Sequence, residues 1–257
     1  MHRQHIRPAI ESPIVGAVRP SIVEQGGGIP LGSAFWATYL DADFGIELSG
    51  SDVATWTSMV GEHVATPAAH APSFMVNFNG AARNAVKFDI ANTEGLFCHT
   101  LASLFSGDDA PVTVFLHVIY PTFSGVFCNW GVSDGTNNYY YTQRWFSGSG
   151  IGAYGKSGGG STVSGTLRVP VVAATEYVIG LIRHGDTYDI ALNGVRATGG
   201  SCALTSLGTL TLFSIGLLRA GSEYYHSDME LRRFAIASGS GITDAQIVAL
   251  DDAWRGR

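Results

Sequence analysis

Residues 177 to 195 constrain the fold more than any other stretch of this 257-residue chain. The segment YVIGLIRHGDTYDIALNGV begins with an apolar run rich in β-branched residues, continues through the turn sequence HGD, and ends in alternating apolar and polar residues. It closes at Asn193-Gly194, the pair that most readily adopts the two positive φ angles of a type I′ turn. The pattern therefore predicts a β-hairpin followed by a third, returning strand.

The composition also favours an all-β chain. Charged residues make up only 14% and glycine numbers 33, which is typical of many short strands joined by tight turns. The 46% hydrophobic content and the length suffice for one sandwich with a full core. The net charge of −6, with only 15 Lys and Arg spread along the chain, argues against nucleic-acid binding, because a polyanion requires a concentrated basic face.

Targeting and metal-binding signals are absent from the sequence. There is no apolar run near the roughly 20 residues of a membrane span and no signal-type segment at the start, so we expect synthesis in the cytosol without membrane insertion. Cys98, Cys128 and Cys202 lack CxxC spacing and are predicted to be reduced and buried. The eight histidines show no metal-ligand spacing, so we expect no metal and no cofactor, although a calcium ion held by backbone carbonyls would leave no trace in the sequence.

The first 28 residues differ from the rest of the chain. Prolines recur too often for a helix, and the Ile and Val content is too high for an ordinary disordered tail. Three consecutive glycines at 26 to 28 provide a flexible joint. We therefore predict an extended anchoring arm at residues 1–28 and one globular domain at residues 29–257. The side chains expected to contact a neighbouring protein are Arg3, Ile6, Arg7, Ile10, Ile14, Val18, Arg19 and Ile22.

The closing stretch predicts a short helix. Thr243 and Gln246 have capping-box spacing, and Ile242 and Ile247 are placed for a hydrophobic staple. Apolar residues then recur on one helical face, so a helix between Asp244 and Trp254 should pack back on the sheets.

Short blocks from residue 33 onward follow one another in a specific order. They are Trp36, Leu40-Asp41-Ala42, Leu48-Ser49-Gly50, Val53, Trp56, Pro72, Asn79-Gly80, Val86-Lys87-Phe88-Asp89, and the segments 112–119, 188–194, 213–216 and 228–236. This order resembles concanavalin A-like (laminin-G-like) sandwich domains found in phage virion proteins and bacterial surface proteins, over roughly residues 33 to 254. The resemblance implies an all-β, concanavalin A-like antiparallel β-sandwich (jelly roll), here with an extended N-terminal arm and a short C-terminal helix.

The stretch between residues 125 and 165 is the most polar and aromatic. Asp134-Gly135 and Asn137-Asn138 mark a hairpin turn, after which alternate residues would share one face of a strand. Aromatic rings stack on the apolar face of a sugar while amides bridge its hydroxyls, although packing between the sheets or at a subunit contact is the alternative. The candidate glycan-binding residues are Tyr139, Tyr141, Gln143, Trp145 and Tyr154.

The sequence offers no recognisable catalytic set. Glucanases of the resembled family carry Glu and Asp alternating along one strand, because two carboxylates must flank one glycosidic bond. Asp186 and Asp189 are three apart, and Asp228 and Glu230 lack a third carboxylate, so both pairs are interpreted as solvated or salt-bridged strand residues. There is also no GxSxG turn for a serine nucleophile. We therefore expect that the chain is not an enzyme.

These observations leave three functional hypotheses. The arm and the resemblance favour a non-enzymatic phage virion structural protein, such as a capsid decoration, head-fibre or tail component. It would be made in the host cytoplasm, exposed on the particle surface, and partnered by other virion proteins and by copies of itself. The alternative is a carbohydrate-binding adhesin that recognises host-surface polysaccharide. An exposed strip of aromatic side chains would support this alternative. The third hypothesis is a glycan-cleaving enzyme, which a pair of catalytic carboxylates would support.

Overall fold

A computed structural model describes residues 29–105, 111–123, 128–135, 139–146, 150–156, 162–203, 209–220 and 223–257. For residues 139–146, 162, 219–220 and 223–224 only the backbone is described. The predicted arm, with all eight of its anchoring residues, lies outside the described residues, so its role stays a prediction.

The described chain consists mainly of strands joined by tight turns. The strands are β1 (Thr38–Asp41), β2 (Ile46–Ser49), β3 (Asp52–Thr57), β4 (Val64–Pro67), β5 (Ser73–Met75), β6 (Ala85–Phe88), β7 (Leu96–Phe97), β8 (Val112–Ile119), β9 (Cys128–Ser133), β10 (Tyr139–Phe146), β11 (Gly150–Lys156), β12 (Thr162–Val169), β13 (Glu176–His184), β14 (Thr187–Leu192), β15 (Val195–Ser201), β16 (Leu212–Ile215), β17 (Leu217–Ala220), β18 (Glu223–His226) and β19 (Met229–Ser238). Short 3-10 helices occupy Ser33–Phe35, Phe78–Gly80, Ile90–Asn92 and His99–Phe105, and one α-helix, α1, runs over Asp244–Arg255.

Most of the strands form two antiparallel sheets, and β17 and β18 pair with each other as a separate two-stranded ribbon. The first sheet runs β15-β14-β13-β8-β19, and the far edge of β19 pairs with β6 along its first part and with β1 along its second. Strands β5, β3 and β2 extend it beyond β6. The second sheet runs β12-β11-β10-β9-β16-β7-β4, and β4 also pairs with β3, which links the two sheets.

The main apolar core lies between the two sheets. Val114, Leu116 and Val118 of β8 belong to this core, together with Trp130 and Phe213 from the second sheet. The Trp130 and Phe213 rings stack with centroids 5.9 Å apart. Every residue of β8 is buried, which is the pattern of a central strand covered on both faces. The predicted all-β sandwich is therefore confirmed.

Helix α1 covers the outer face of the first sheet. Thr243 caps it by accepting a hydrogen bond from the backbone N–H of Gln246, whose side chain in turn accepts from the backbone N–H of Thr243. Ile242 and Ile247 are both buried in the apolar cluster beneath the helix, as the staple spacing predicts. The predicted C-terminal helix is confirmed within one residue of its expected end.

The meander predicted from residues 177 to 195 is confirmed in the strands β13, β14 and β15. Asn193 and Gly194 adopt φ angles of 50° and 83° between the paired residues Leu192 and Val195, as a type I′ turn requires. The Asn193 side-chain carbonyl also accepts a hydrogen bond from the backbone N–H of Val178 at 3.0 Å. The turn is thus fixed to the strand that begins the hairpin.

The pairing of β19 defines two opposite ends of the first sheet. Met229 pairs with Phe88 at the end of β6, whereas Ile236 pairs with Thr38 at the start of β1. Seven residues of extended chain separate these points, a distance of roughly 24 Å. The loop that follows β6 and the segment that precedes β1 therefore lie at opposite ends of the sheet.

The cysteines agree with the sequence expectation. Cys98, Cys128 and Cys202 are all buried and none forms a disulfide. Among the described residues, no helix has the length and apolar character needed to cross a membrane.

Candidate functional site

An open polar cleft lies beside the loop that follows β6. Its volume is about 490 Å³, within the range of small-molecule sites in proteins. It is lined by Asp52, His70, Ala71, Ala91, Asn92, Thr93 and Glu94.

Pairing between strands brings three separate segments of the chain to this cleft. Asp52 begins β3 and pairs with Ser73 of β5, which places the β4–β5 loop beside it. In that loop, His70 bridges to Glu94, and its carbonyl accepts a hydrogen bond from the backbone N–H of Gly95. The cleft is therefore built on the sheet rather than on one free loop.

Glu94 is held in a fixed position at the cleft wall. Its Oε2 accepts a hydrogen bond from the backbone N–H of Asp89 at 2.8 Å, and its Oε1 accepts from Nδ2 of Asn92 at 3.3 Å. The residue is only 8% exposed. Burial raises the pKa of the Glu94 carboxyl, the Asp89 hydrogen bond opposes this, and the charges of Asp89 and Asp52 raise it further. The carboxyl groups therefore interact with one another.

A constrained turn presents polar groups to the cleft. Asp89 caps the short 3-10 helix by accepting from the backbone N–H of Ala91 at 2.8 Å. Thr93 then ends the helix with φ of 55°, a conformation unusual for a β-branched residue. Backbone conformations of this kind concentrate at functional sites. Asn92 and Thr93 are both exposed and offer an amide and a hydroxyl to a ligand.

A second polar cluster, the His117 cluster, lies beneath α1 and consists of His117, Glu176, Asn79 and Arg83. Nε2 of His117 lies 2.6 Å from Oε1 of Glu176, Asn79 donates to Oε2, and Nη1 of Arg83 is 3.7 Å from Oε1. Burial lowers the pKa of His117 to about 4, and the hydrogen bond from His117 lowers the pKa of Glu176 to about 2. At neutral pH, a neutral imidazole therefore donates to a carboxylate. The His117 side chain is fully buried and stacks on Trp254 of α1, so it supports the helix, whereas Asn79 lies at the surface.

The glycan-binding residues predicted from the sequence lie in the second sheet. Tyr139, Tyr141, Gln143 and Trp145 are all in β10, which pairs with β9 and β11 and shifts register twice along β9. Their side chains lie outside the described part of the chain, so their role in sugar binding stays a prediction. Tyr154 in β11 is half-buried and belongs to a small cluster with Cys128, Leu218 and Tyr225.

The acidic pairs rejected as catalytic have structural partners where their contacts are described. Asp189 forms an ion pair with Arg196 at 3.4 Å and a hydrogen bond with His184 at 3.1 Å, and Asp228 accepts a hydrogen bond from Thr122 at 2.7 Å. Within the described ranges, no group of three His, Cys, Asp or Glu side chains is placed to hold a metal ion.

The cleft residues were not recognised from the sequence. Asp52, His70 and Glu94 are about 20 residues apart along the chain, and only strand pairing brings them together. The one local signal is the short run from Asp89 to Glu94, in which an acid, an amide and a second acid fall within six residues. Such a run is equally typical of an ordinary turn.

The sequence matches no family model and no curated protein. Among solved structures, the chain is similar to a sialidase from Trypanosoma rangeli, with 12% identity and a TM-score of 0.56 over 85% of this chain and 32% of that one. A mutant of that sialidase displaying trans-sialidase activity gives 12% identity and a TM-score of 0.60 over 86% and 34%. The chain thus spans about a third of the length of these sialidases.

A third similar structure is domain 4 of AbnA, a GH43 extracellular arabinanase from Geobacillus stearothermophilus, in complex with arabinotriose. The identity is 12% and the TM-score 0.59, covering 84% of this chain and 98% of that domain. At such identities the likeness establishes the fold, which is the β-sandwich expected from the sequence. It does not bear on a virion context.

The expectation that the chain is not an enzyme is contradicted by these matches. The similar structures come from sialidases and an arabinanase, which are glycoside hydrolases. The sequence argument failed because it searched only for carboxylates arranged along one strand and for a serine nucleophile in a GxSxG turn. Sialidases use a tyrosine nucleophile instead, so a search for that arrangement does not separate this chain from such enzymes.

Proposed function

We propose that this chain binds carbohydrate and holds an oligosaccharide in the cleft lined by Asp52, His70, Asn92, Thr93 and Glu94. The observation that carries the proposal is the likeness to the arabinanase domain in complex with arabinotriose, which this chain matches over nearly the whole of that domain. An open polar cleft of about 490 Å³ gives the proposal a location.

The chemistry of the cleft suits a polyhydroxylated ligand. The carboxylates of Asp52 and Glu94 accept hydrogen bonds from sugar hydroxyls, and bonds to a charged acceptor are stronger than neutral ones. The Oδ1 of Asn92 can accept from a sugar hydroxyl, while its Nδ2 already donates to Glu94 and Asp89. The hydroxyl of Thr93 can both donate and accept, which matches a sugar hydroxyl. Ala71 and Ala91 are small and allow a sugar ring to approach the wall closely.

Substitutions at the cleft should weaken sugar binding without unfolding the protein. We expect Asn92→Ala and Glu94→Gln each to reduce affinity for a neutral oligosaccharide such as arabinotriose about tenfold, because the first removes a hydrogen-bonding amide and the second replaces a charged acceptor by a weaker neutral one. Isothermal titration calorimetry measures the affinity, and chromatography of the same mixtures shows whether the sugar is cleaved. The matched control is Asp186→Asn, which removes a charge at an exposed turn between β13 and β14.

The strand β10 offers an alternative place for the same function. If Tyr141→Ala or Trp145→Ala abolishes binding while the cleft variants bind normally, the sugar occupies the second sheet as the sequence alone suggested. If an array of neutral and acidic glycans shows no binding by the wild-type chain, the proposed function is wrong.

A host-recognising adhesin and a virion component are finer forms of this proposal. The segment Ile29 to Trp36 packs beside α1 and enters β1 at the end of the first sheet opposite to the cleft loop. This placement supports a display arrangement, since attachment through residues 1–28 would leave the cleft facing away from the particle.

Deleting residues 1 to 25 tests the anchoring role. We expect a folded, soluble domain that still binds sugar but no longer associates with virus particles. The apolar side chains of the arm would supply the contact with the particle, and this contact would offset the entropy lost when the arm becomes ordered. Sedimentation with purified particles measures the association. A truncated chain that still co-sediments at wild-type copy number would show that the sandwich itself makes the contact.

A further inference from the structure

Two carboxylates line the cleft, and His70 is the only one of its described lining residues that can carry a positive charge. Asp52 and Glu94 line it, and the side chain of Asp89 accepts hydrogen bonds from two other lining residues, Asn92 and the backbone N–H of Ala91. None of the seven residues that line the described cleft is Lys or Arg. The charged wall that a ligand meets is therefore negative.

Hydrogen bonds and strand pairing hold the acidic residues in place at the cleft. Glu94 receives hydrogen bonds on both carboxyl oxygens, and its exposed fraction is only 8%. Asp52 begins a paired strand, so its backbone cannot retreat from the cleft. The negative charges of Asp89 and Asp52 both raise the pKa of the Glu94 carboxyl, so the three acidic groups are close enough to create one negative electrostatic potential.

A sugar carboxylate would be poorly accommodated in this field. Proteins bind carboxylates through arginine, lysine or exposed backbone N–H groups, of which the first two are missing from the cleft wall. A like charge at a few ångströms lowers affinity by about tenfold or more when water is partly excluded. A neutral sugar avoids this repulsion, and its hydroxyls can still donate to the same carboxylates.

We infer that the cleft selects uncharged oligosaccharides and rejects those that carry carboxylates, such as sialic acids and uronic acids. This inference rests on the proposed carbohydrate binding and specifies the class of sugar. Asp52 and Glu94 are the residues that determine the selection. The sandwich shared with sialidases thus carries a cleft whose charge disfavours a sialic acid.

The test compares neutral and acidic sugars of matched length on the full chain. Calorimetry at pH 7 in low salt, with arabinotriose, trigalacturonate and sialyllactose, should show binding of arabinotriose and at least tenfold weaker binding of both acidic sugars. The difference in affinity between arabinotriose and the acidic sugars, here called the gap, should narrow to about threefold in Asp52→Asn. It should narrow similarly for the wild-type chain in 0.5 M salt, which screens the repulsion. Asp186→Asn makes the same change in net charge at an exposed turn between β13 and β14 and should leave the gap unchanged.

The outcomes separate this inference from the proposed function. Acidic sugars that bind as tightly as arabinotriose, or more tightly, overturn the inference while leaving carbohydrate binding in place. A gap that Asp186→Asn narrows as much as Asp52→Asn also overturns it, since the selection would then reflect overall charge. Absence of binding by all three sugars and by a wider glycan array overturns both.

Discussion

Replacing Trp254 by Ala should lower the free energy of unfolding by about 3 to 5 kcal/mol, the usual cost of removing a large buried aromatic side chain. Trp254 is 1% exposed on the inner face of α1. Its indole Nε1–H donates to the Tyr39 hydroxyl at 2.9 Å, and its ring stacks on His117 with centroids 6.0 Å apart. The substitution would leave a cavity between the helix and the first sheet and would leave the Tyr39 hydroxyl without this donor.

Chemical denaturation followed by tryptophan fluorescence and far-ultraviolet circular dichroism measures this effect. Trp254→Phe should cost less, because it keeps one aromatic ring and loses the second ring with its hydrogen bond to Tyr39. Val248→Ala is the matched control on the same helix, since Val248 is 46% exposed and its loss should change stability by less than about 0.5 kcal/mol. An unchanged midpoint for Trp254→Ala would show that α1 does not stabilise the sandwich.

The second large effect is a loss of stability in acid that arises from the His117 cluster. The pKa of His117 is lowered from 6.5 to about 4 by burial, so the unfolded chain takes up a proton at a higher pH than the folded chain does. Stability is therefore lost as the pH falls from 6.5 towards 4. The pKa of Glu176 is lowered from 4.5 to about 2 by its hydrogen bond from His117, so stability present above pH 4.5 is lost as the pH falls towards 2.

The two contributions overlap because they share one hydrogen bond, and together they should amount to roughly 3 to 5 kcal/mol between pH 7 and pH 2. Urea denaturation at a series of pH values measures the loss. His117→Gln should flatten the profile between pH 6.5 and 4 only in part, since burial also lowers the pKa of His63 and His226. His99→Gln, at an exposed position, should keep the wild-type slope. An identical slope in wild type and His117→Gln would contradict the assignment.

Local patterns in the sequence predicted those parts of the fold that depend on neighbouring residues. The Asn193-Gly194 turn and the capping box at Thr243 each act within a few residues, and each was found as expected. The segment 228 to 236, one of the blocks that carry the resemblance, corresponds to β19 with its bounds shifted by one or two residues. Strand ends are set by where pairing stops, which the local sequence does not specify.

The cleft could not be predicted in this way because its residues meet only through long-range pairing. Asp52 reaches the cleft through the pairing of β3 with β5, and Glu94 through the loop that joins β6 to β7. Aromatic content drew attention to residues 139 to 154 instead, since rings are visible in a sequence whereas a cleft between loops is not. The burial that raises the pKa of Glu94 is likewise a property of the assembled sheet.

The pairing of β1 with β19 has a consequence for how this chain is made. Thr38 pairs with Ile236, which is synthesised almost two hundred residues later. Strands β6 and β8 also pair with β19, so these pairings cannot form before β19 has been synthesised. Strands with such distant partners close late and fold slowly, because loop entropy must be lost before the contacts form. A chain interrupted before Met229 would leave the backbone edges of β1, β6 and β8 unpaired at once. Such a fragment would be recognised by proteases and chaperones, whereas the complete chain, with these strands paired, would not be.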